Sequence, residues 1–220
     1  TAGSATRTWR PSWSAARGFP RTGEFHQGRL VQAGTTKQPT TWWGSASDNF
    51  EDYAVGTLAD KAVEYTIAAK RLNQIEWLAD LINLFIGTAA VEFRAKGPGV
   101  DEPLGGDVIP EVTQQTGEGG AHIQPVVVGK QILFVDRSRK RIHALGYVID
   151  ADGFQTAELT DIAEHITGTG IRLGPIGYAS RPDPVLYFIR ADGELVALIY
   201  FRTQQVIGFT RRTTDGTFEA

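Results

Sequence analysis

Apolar runs recur along this 220-residue chain about every fifty residues, and that spacing limits the fold more than any other feature of the sequence. Four runs carry the repeat: Arg29-Leu-Val-Gln-Ala-Gly34, Asn83-Leu-Phe-Ile-Gly87, Ile132-Leu-Phe-Val-Asp136 and Val185-Leu-Tyr-Phe-Ile-Arg190. Their leucines at 30, 84, 133 and 186 lie 54, 49 and 53 residues apart. Each run is followed by a second one: Thr40-Thr-Trp-Trp-Gly44, Ala90-Val-Glu-Phe-Arg94, Arg141 to Tyr147 and Leu195 to Phe201. A unit of this length holds several strands, which makes it a propeller blade in size and too long for a single solenoid turn. The expectation is an all-β fold of β-propeller blades, a partial or incomplete propeller. Residues 1–21 read as an irregular N-terminal segment, and residues 22–220 as a β-propeller-like domain of about four blades. Stacked blades bury both faces, so Leu133, Val135, Leu186, Phe188 and Leu198 are expected in the core between them.

Local patterns agree with short strands in hairpins. In Ala62-Val-Glu-Tyr-Thr-Ile-Ala68, Val63, Tyr65 and Ile67 alternate with Glu64 and Thr66, the period of a strand with one wet face. Gln204 to Thr210 follows the Leu195 run directly as a partner strand. Asp192-Gly193 between two apolar runs predicts a two-residue hairpin turn, and Ala151-Asp-Gly153 and Asp215-Gly216 predict turns of the same type. One short inserted helix is expected where Leu159, Ile162, Ala163 and Ile166 share a face, capped by Thr156 or Thr160 and stopped by Gly168. The Gly-rich stretch from Lys96 to Gly106 reads as an insertion between strands.

Composition closes off several kinds of chemistry. There is no cysteine, which removes disulfides, thiolate metal sites and cysteine nucleophiles. A formal net charge of -3 gives the chain no general attraction to nucleic acid. No apolar run approaches the ~20 residues of a membrane helix, so membrane insertion is not expected. The chain also contains no methionine and no signal-peptide pattern at its start, and it is expected to be a segment of a longer polypeptide.

Several stretches, taken in order, carry a family likeness. They are Arg17-Gly-Phe-Pro-Arg-Thr-Gly-Glu-Phe-His-Gln-Gly-Arg-Leu-Val-Gln-Ala-Gly34, Gln38-Pro39, Trp42-Trp-Gly-Ser45 and Asp48-Asn-Phe-Glu-Asp52. Beyond them come the alternating strand from Ala62, Ile75-Glu-Trp77, Leu84-Phe-Ile-Gly87, Gln114-Gln-Thr116 and His122-Ile-Gln-Pro125. The second half adds Ala144-Leu-Gly-Tyr147, Leu159-Thr to Glu164-His165, and Ala191-Asp-Gly-Glu194. Across most of residues 9–218 the chain resembles the tail nozzle proteins of short-tailed bacteriophages, also called tail tubular protein B. That resemblance implies a structural virion component of the phage tail, produced in the host cytoplasm and assembled as a homo-oligomer, usually a hexameric ring. It implies docking to the portal, adaptor and other tail proteins, and non-specific passage of double-stranded DNA through the lumen.

The residues offer little for catalysis, and no enzyme activity, cofactor or metal is expected. The four histidines, His26, His122, His143 and His165, make no metal-ligand spacing, and Glu164 and His165 are adjacent on the expected helix. Asp48 to Asp52 is acidic but lacks the layout of a calcium loop, and reads instead as a connection anchored by Phe50 and Tyr53. Gly97-Pro-Gly99 and Gly117-Glu-Gly-Gly120 lack the context that cradles phosphate. Arg137, Arg139, Lys140 and Arg141 form one basic turn that could face DNA through charge alone or meet an acidic partner. Trp9 and Trp13 are candidate interface residues, whereas Trp42 and Trp43 are expected in the core. The alternative function is a propeller module that binds or hydrolyses host-surface polysaccharide through facing carboxylates.

Overall fold

Short strands bounded by tight turns are the dominant regular structure, as the repeat predicts. The computed structural model describes residues 13–68, 73–99, 102–201, 204 and 206–219. The first sheet contains β1 (Thr22–His26), β2 (Arg29–Ala33), β3 (Thr41–Gly44) and β4 (Val63–Thr66). The second contains β5 (Ile75–Asp80), β6 (Leu84–Thr88), β7 (Glu92–Lys96) and β8 (Glu111–Thr116). The third contains β9 (Val126–Val128), β10 (Gln131–Val135), β11 (Ile142–Val148) and β12 (Gly153–Glu158). The fourth contains β13 (Gly177–Ala179), β14 (Val185–Ile189), β15 (Leu195–Phe201) and β16 (Val206–Arg212). Within every sheet the four strands are antiparallel and lie in chain order, so each sheet is a simple meander. The four apolar runs of the repeat are the second strands, and their companions are the third.

Consecutive sheets share apolar cores. Val31, Ala33 and Trp42 of the first sheet meet Leu78, Leu84 and Ile86 of the second. On the opposite face of the second sheet, Trp77, Ala79 and Phe85 meet Ile132, Phe134 and Leu145 of the third. Leu133, Val135, Leu186, Phe188 and Leu198 then join the third sheet to the fourth, all of them buried as expected. The middle sheets are covered on both faces, which explains why β6 and β10 are buried at every position. β14 alternates between buried and more exposed positions because it is covered on one face. The first strands of successive sheets are neighbours, β1 beside β5 and β5 beside β9, while the last strands β8 and β12 also touch.

Three local expectations need correction. The expected helix is a 3-10 turn at Asp161–Ala163 followed by a single α-helical turn, α1 (Glu164–Thr167). Leu159, Ala163 and Ile166 are buried, but Ile162 is 78% exposed, because the irregular winding turns it to solvent. Thr156 lies in β12, while Thr160 holds the N-cap position of the 3-10 turn without a side-chain capping bond, its hydroxyl donating to Glu158 instead. The loop at Asp192-Gly193 spans three residues, since Arg190 and Glu194 are bonded across it and only Gly193 has a positive φ, 88°. This is the type I turn with a glycine bulge, which needs left-handed backbone at one residue rather than two. Gly216 likewise lacks the positive φ of the predicted turn type, whereas Asp152 adopts it at 44°.

The Gly-rich insertion between β7 and β8 folds back onto the first sheet. Leu104 is buried in the first-to-second core, and its amide donates to Gln27 in the β1–β2 turn at 2.9 Å.

Candidate functional site

Between β10 and β11, six residues from Asp136 to Arg141 make the basic turn. Asp136 builds it by accepting hydrogen bonds from the Ser138 hydroxyl at 2.9 Å and from the amides of Lys140 and Arg141 at 3.2 and 3.1 Å. A carboxylate that receives several donors in this way fixes a loop firmly. Arg139 completes the reversal with a left-handed φ of 61°. The turn is also held on both flanks, because the Arg137 amide donates to the Gly119 carbonyl and the Ile171 amide donates to the Arg139 carbonyl. Arg137, Arg139, Lys140 and Arg141 are all exposed. Arg141 pairs with Glu158 at 3.3 Å, while among the described residues the other three side chains make no ion pair. Beside the turn opens a cleft of about 460 Å³ whose lining includes Glu118, Lys140, Arg141, His143, Glu164 and Thr167.

The tryptophans separate into two groups. Trp42 and Trp43 are buried, as expected. Trp13 is half-buried and lies edge-on against Trp43 and Tyr53, with ring centroids 5.8 and 4.6 Å away. It therefore covers the outer face of the first sheet. Trp9 lies outside the described residues. In the acidic connection, the Tyr53 hydroxyl donates to the Leu30 carbonyl and Phe50 packs edge-on against Phe25.

A third feature gathers residues from β1, β5 and the segments that lead into β9 and β13. Where the first strands begin, Arg21, Thr22, Glu76, His122, Gln124 and the Leu173–Pro175 segment line a cavity of about 510 Å³. Arg21 pairs with Glu76 at 3.3 Å, and His122 Nδ1 donates to the Glu76 carbonyl at 2.9 Å. Further along, the Gln124 amide donates to Glu24 at 3.1 Å and to the Leu78 carbonyl at 2.8 Å, while its own oxygen accepts from the Thr22 hydroxyl at 3.2 Å. Beyond them His26, almost wholly buried, meets Asp80 at 2.5 Å. Burial pushes the carboxyls of Glu24 and Glu76 above their ordinary value; the charge of Asp80 adds to the rise at Glu24, and Arg21 and His122 oppose it at Glu76.

These polar groups tie one first strand to the next. Nothing in the order of residues announced the column, because its partners are 46 to 102 positions apart. The repeat itself held the signal: Thr22, Glu76 and Gln124 follow one another at about the same period as the leucines. Among the described residues no group of three or more His, Asp or Glu side chains has the geometry to hold a metal ion. The remaining histidines are apart, His143 stacked on Phe134 and His165 exposed on α1.

Comparison with known proteins returned neither a matching family model nor a curated relative.

Proposed function

We propose that this chain is a structural component of a bacteriophage tail, a stack of propeller blades that joins further copies and neighbouring tail proteins around a DNA exit channel. The observation that carries the assembly role is the partly exposed apolar outer face of the fourth sheet. In that sheet Val185 opposes Ile199, Tyr187 opposes Ala197 and Ile189 opposes Leu195, all directed away from the core shared with the third sheet. A terminal sheet facing only water would alternate apolar with polar residues, as β4 does with Glu64 and Thr66. β14 and β15 are apolar on both faces, like the strands of the middle sheets that are covered on both sides.

The other end of the stack supplies a matching surface. Phe25 and Phe50 form an exposed aromatic pair on the outer side of the first sheet, Phe25 being 58% exposed. Joining the fourth sheet of one copy to the first sheet of the next is a head-to-tail contact, the kind that closes into a ring. The sequence resemblance to tail nozzle proteins accounts for the same features, since it implies a hexameric ring that passes DNA. The column of polar groups along the first strands fits a mechanical role as well, because its carboxylates are spent on bonds between sheets. On this reading rigidity and shape do the work, and the exposed basic turn meets DNA backbone or an acidic partner without reading sequence.

The decisive test is to look for the polypeptide in purified phage particles. An antibody against this chain should label the tail in negative-stain electron micrographs, and absence from the particles would overturn the proposal.

A further inference from the structure

The outer edge of the first sheet is an open template. Main-chain groups of β4 alternate in direction, and the Ile67 amide, which donates to the Thr40 carbonyl at 3.0 Å, sets the phase. Val63 and Tyr65 therefore bond to β3, while Glu64 and Thr66 turn their amides and carbonyls outward. Both residues are exposed, and among the described residues nothing bonds to those outward groups. Pairing on this edge begins with a single parallel bridge between Val55 and Ala62 and stops there. Beside the open stretch runs a groove of about 340 Å³, between β4 and the segment that leads into β8. Val55, Val63, Tyr65, Val108 and Ile109 give it an apolar lining, of which Val55 and Ile109 are 44% and 79% exposed. Proteins usually cover unpaired main chain that lies next to exposed aliphatic side chains.

We propose that this edge binds an extended segment of a partner protein, which adds to β4 as a fifth strand and carries aliphatic residues alternating with lysine or arginine. Strand addition takes its affinity from the main chain and its specificity from alternate side chains. The outward groups of Glu64 and Thr66 supply the first. In the added strand, residues opposite Val63 and Tyr65 share the face that lines the groove, which selects aliphatic side chains there. The residue opposite Glu64 shares the other face, where a cation makes a favourable cross-strand pair. Asp60 and Asp107, exposed in the two loops that border the groove, add to the negative charge, and only the half-buried Lys61 opposes them nearby. None of the three carboxylates forms an ion pair among the described residues, so the charge is available to a basic partner. The groove follows an edge of the first sheet, not its outer face, so the inference is independent of the head-to-tail contact.

Isothermal titration calorimetry of the full chain tests it with three blocked heptapeptides: alternating valine and lysine, alternating valine and glutamate, and the valine-lysine peptide with every backbone amide N-methylated. The valine-lysine peptide should bind with a dissociation constant of about 50 μM. The other two should each bind at least about tenfold more weakly, one for its charge and one for its lost main-chain bonds. Glu64→Pro removes an amide that no internal bond uses, and Ile109→Ser alters a side chain that is mostly in solvent, so both variants keep the fold. Each should weaken binding about fivefold. Equal binding of the N-methylated peptide overturns strand addition, and equal binding of the glutamate peptide overturns the charge selection. Binding of none of the three, or unchanged binding by both variants, overturns the site itself.

Discussion

Single residues that break the usual rules of burial reveal where this chain is under most constraint. Arg29 is almost wholly buried, and its guanidinium donates to the carbonyls of Ser45, Lys61 and Ala59 at 2.6, 2.7 and 2.5 Å. Burial pulls its pKa below the ordinary arginine value, while Asp60 and Asp107 act in the opposite sense. One side chain thus satisfies three carbonyls of irregular backbone. Arg29→Met should cost about 3 kcal/mol, read from the urea midpoint, because it leaves those carbonyls buried and unpaired. Glu92 is a second case: it is fully buried, accepts from the Thr116 hydroxyl at 2.6 Å, and has its carboxyl pushed up by burial. The folded state therefore holds this proton more tightly than the unfolded chain does. The associated stability is complete below the ordinary value of 4.5 and is lost as pH rises through the raised one. Glu92→Gln should accordingly stabilise the protein at pH 7 by about 1 kcal/mol and have little effect at pH 4, which thermal melts at the two values will show.

Strand and sheet boundaries were the most legible part of the sequence, and packing explains both the successes and the failures. The β6 and β10 runs stood out because burial on two faces leaves no polar position to interrupt them. The β4 alternation was equally plain, since one face is wet. The Ile162 face failed because helical spacing describes an α-helix, and this segment winds as a 3-10 turn for half its length. Between the second and third sheets a tight contact could not be foreseen at all. A Cβ added at Gly87 would lie 1.9 Å from the Trp77 ring, and one at Gly120 only 2.1 Å from it. Both glycines exist to admit that indole, which also packs on Phe134 with centroids 5.2 Å apart. Gly87→Ala should therefore destabilise by about 3 kcal/mol or more through overpacking. Gly208→Ala, in β16 with nothing within 4 Å of the added carbon, should change the urea midpoint by no more than about 0.5 kcal/mol.

For the molecule as a whole, the repeat made four units legible, whereas the column of polar groups along the first strands and the cleft were invisible because they join residues from different units. Charge pairs such as Arg21 with Glu76 arise only once the first strands stand side by side. The basic turn was legible as a cluster, but its role as one wall of a cleft depends on Glu164 and Thr167 from the connection to the fourth sheet. The partly exposed apolar outer side of β14 and β15 is the feature on which the proposed assembly rests, and it can be addressed in solution. Sedimentation velocity should be compared between the native chain and the double variant Tyr187→Lys, Ile199→Lys, whose positions point away from the core. The account predicts concentration-dependent association of the native chain and a monomeric variant with an unchanged circular dichroism spectrum. Native chain and variant sedimenting alike as monomers at all concentrations would contradict it.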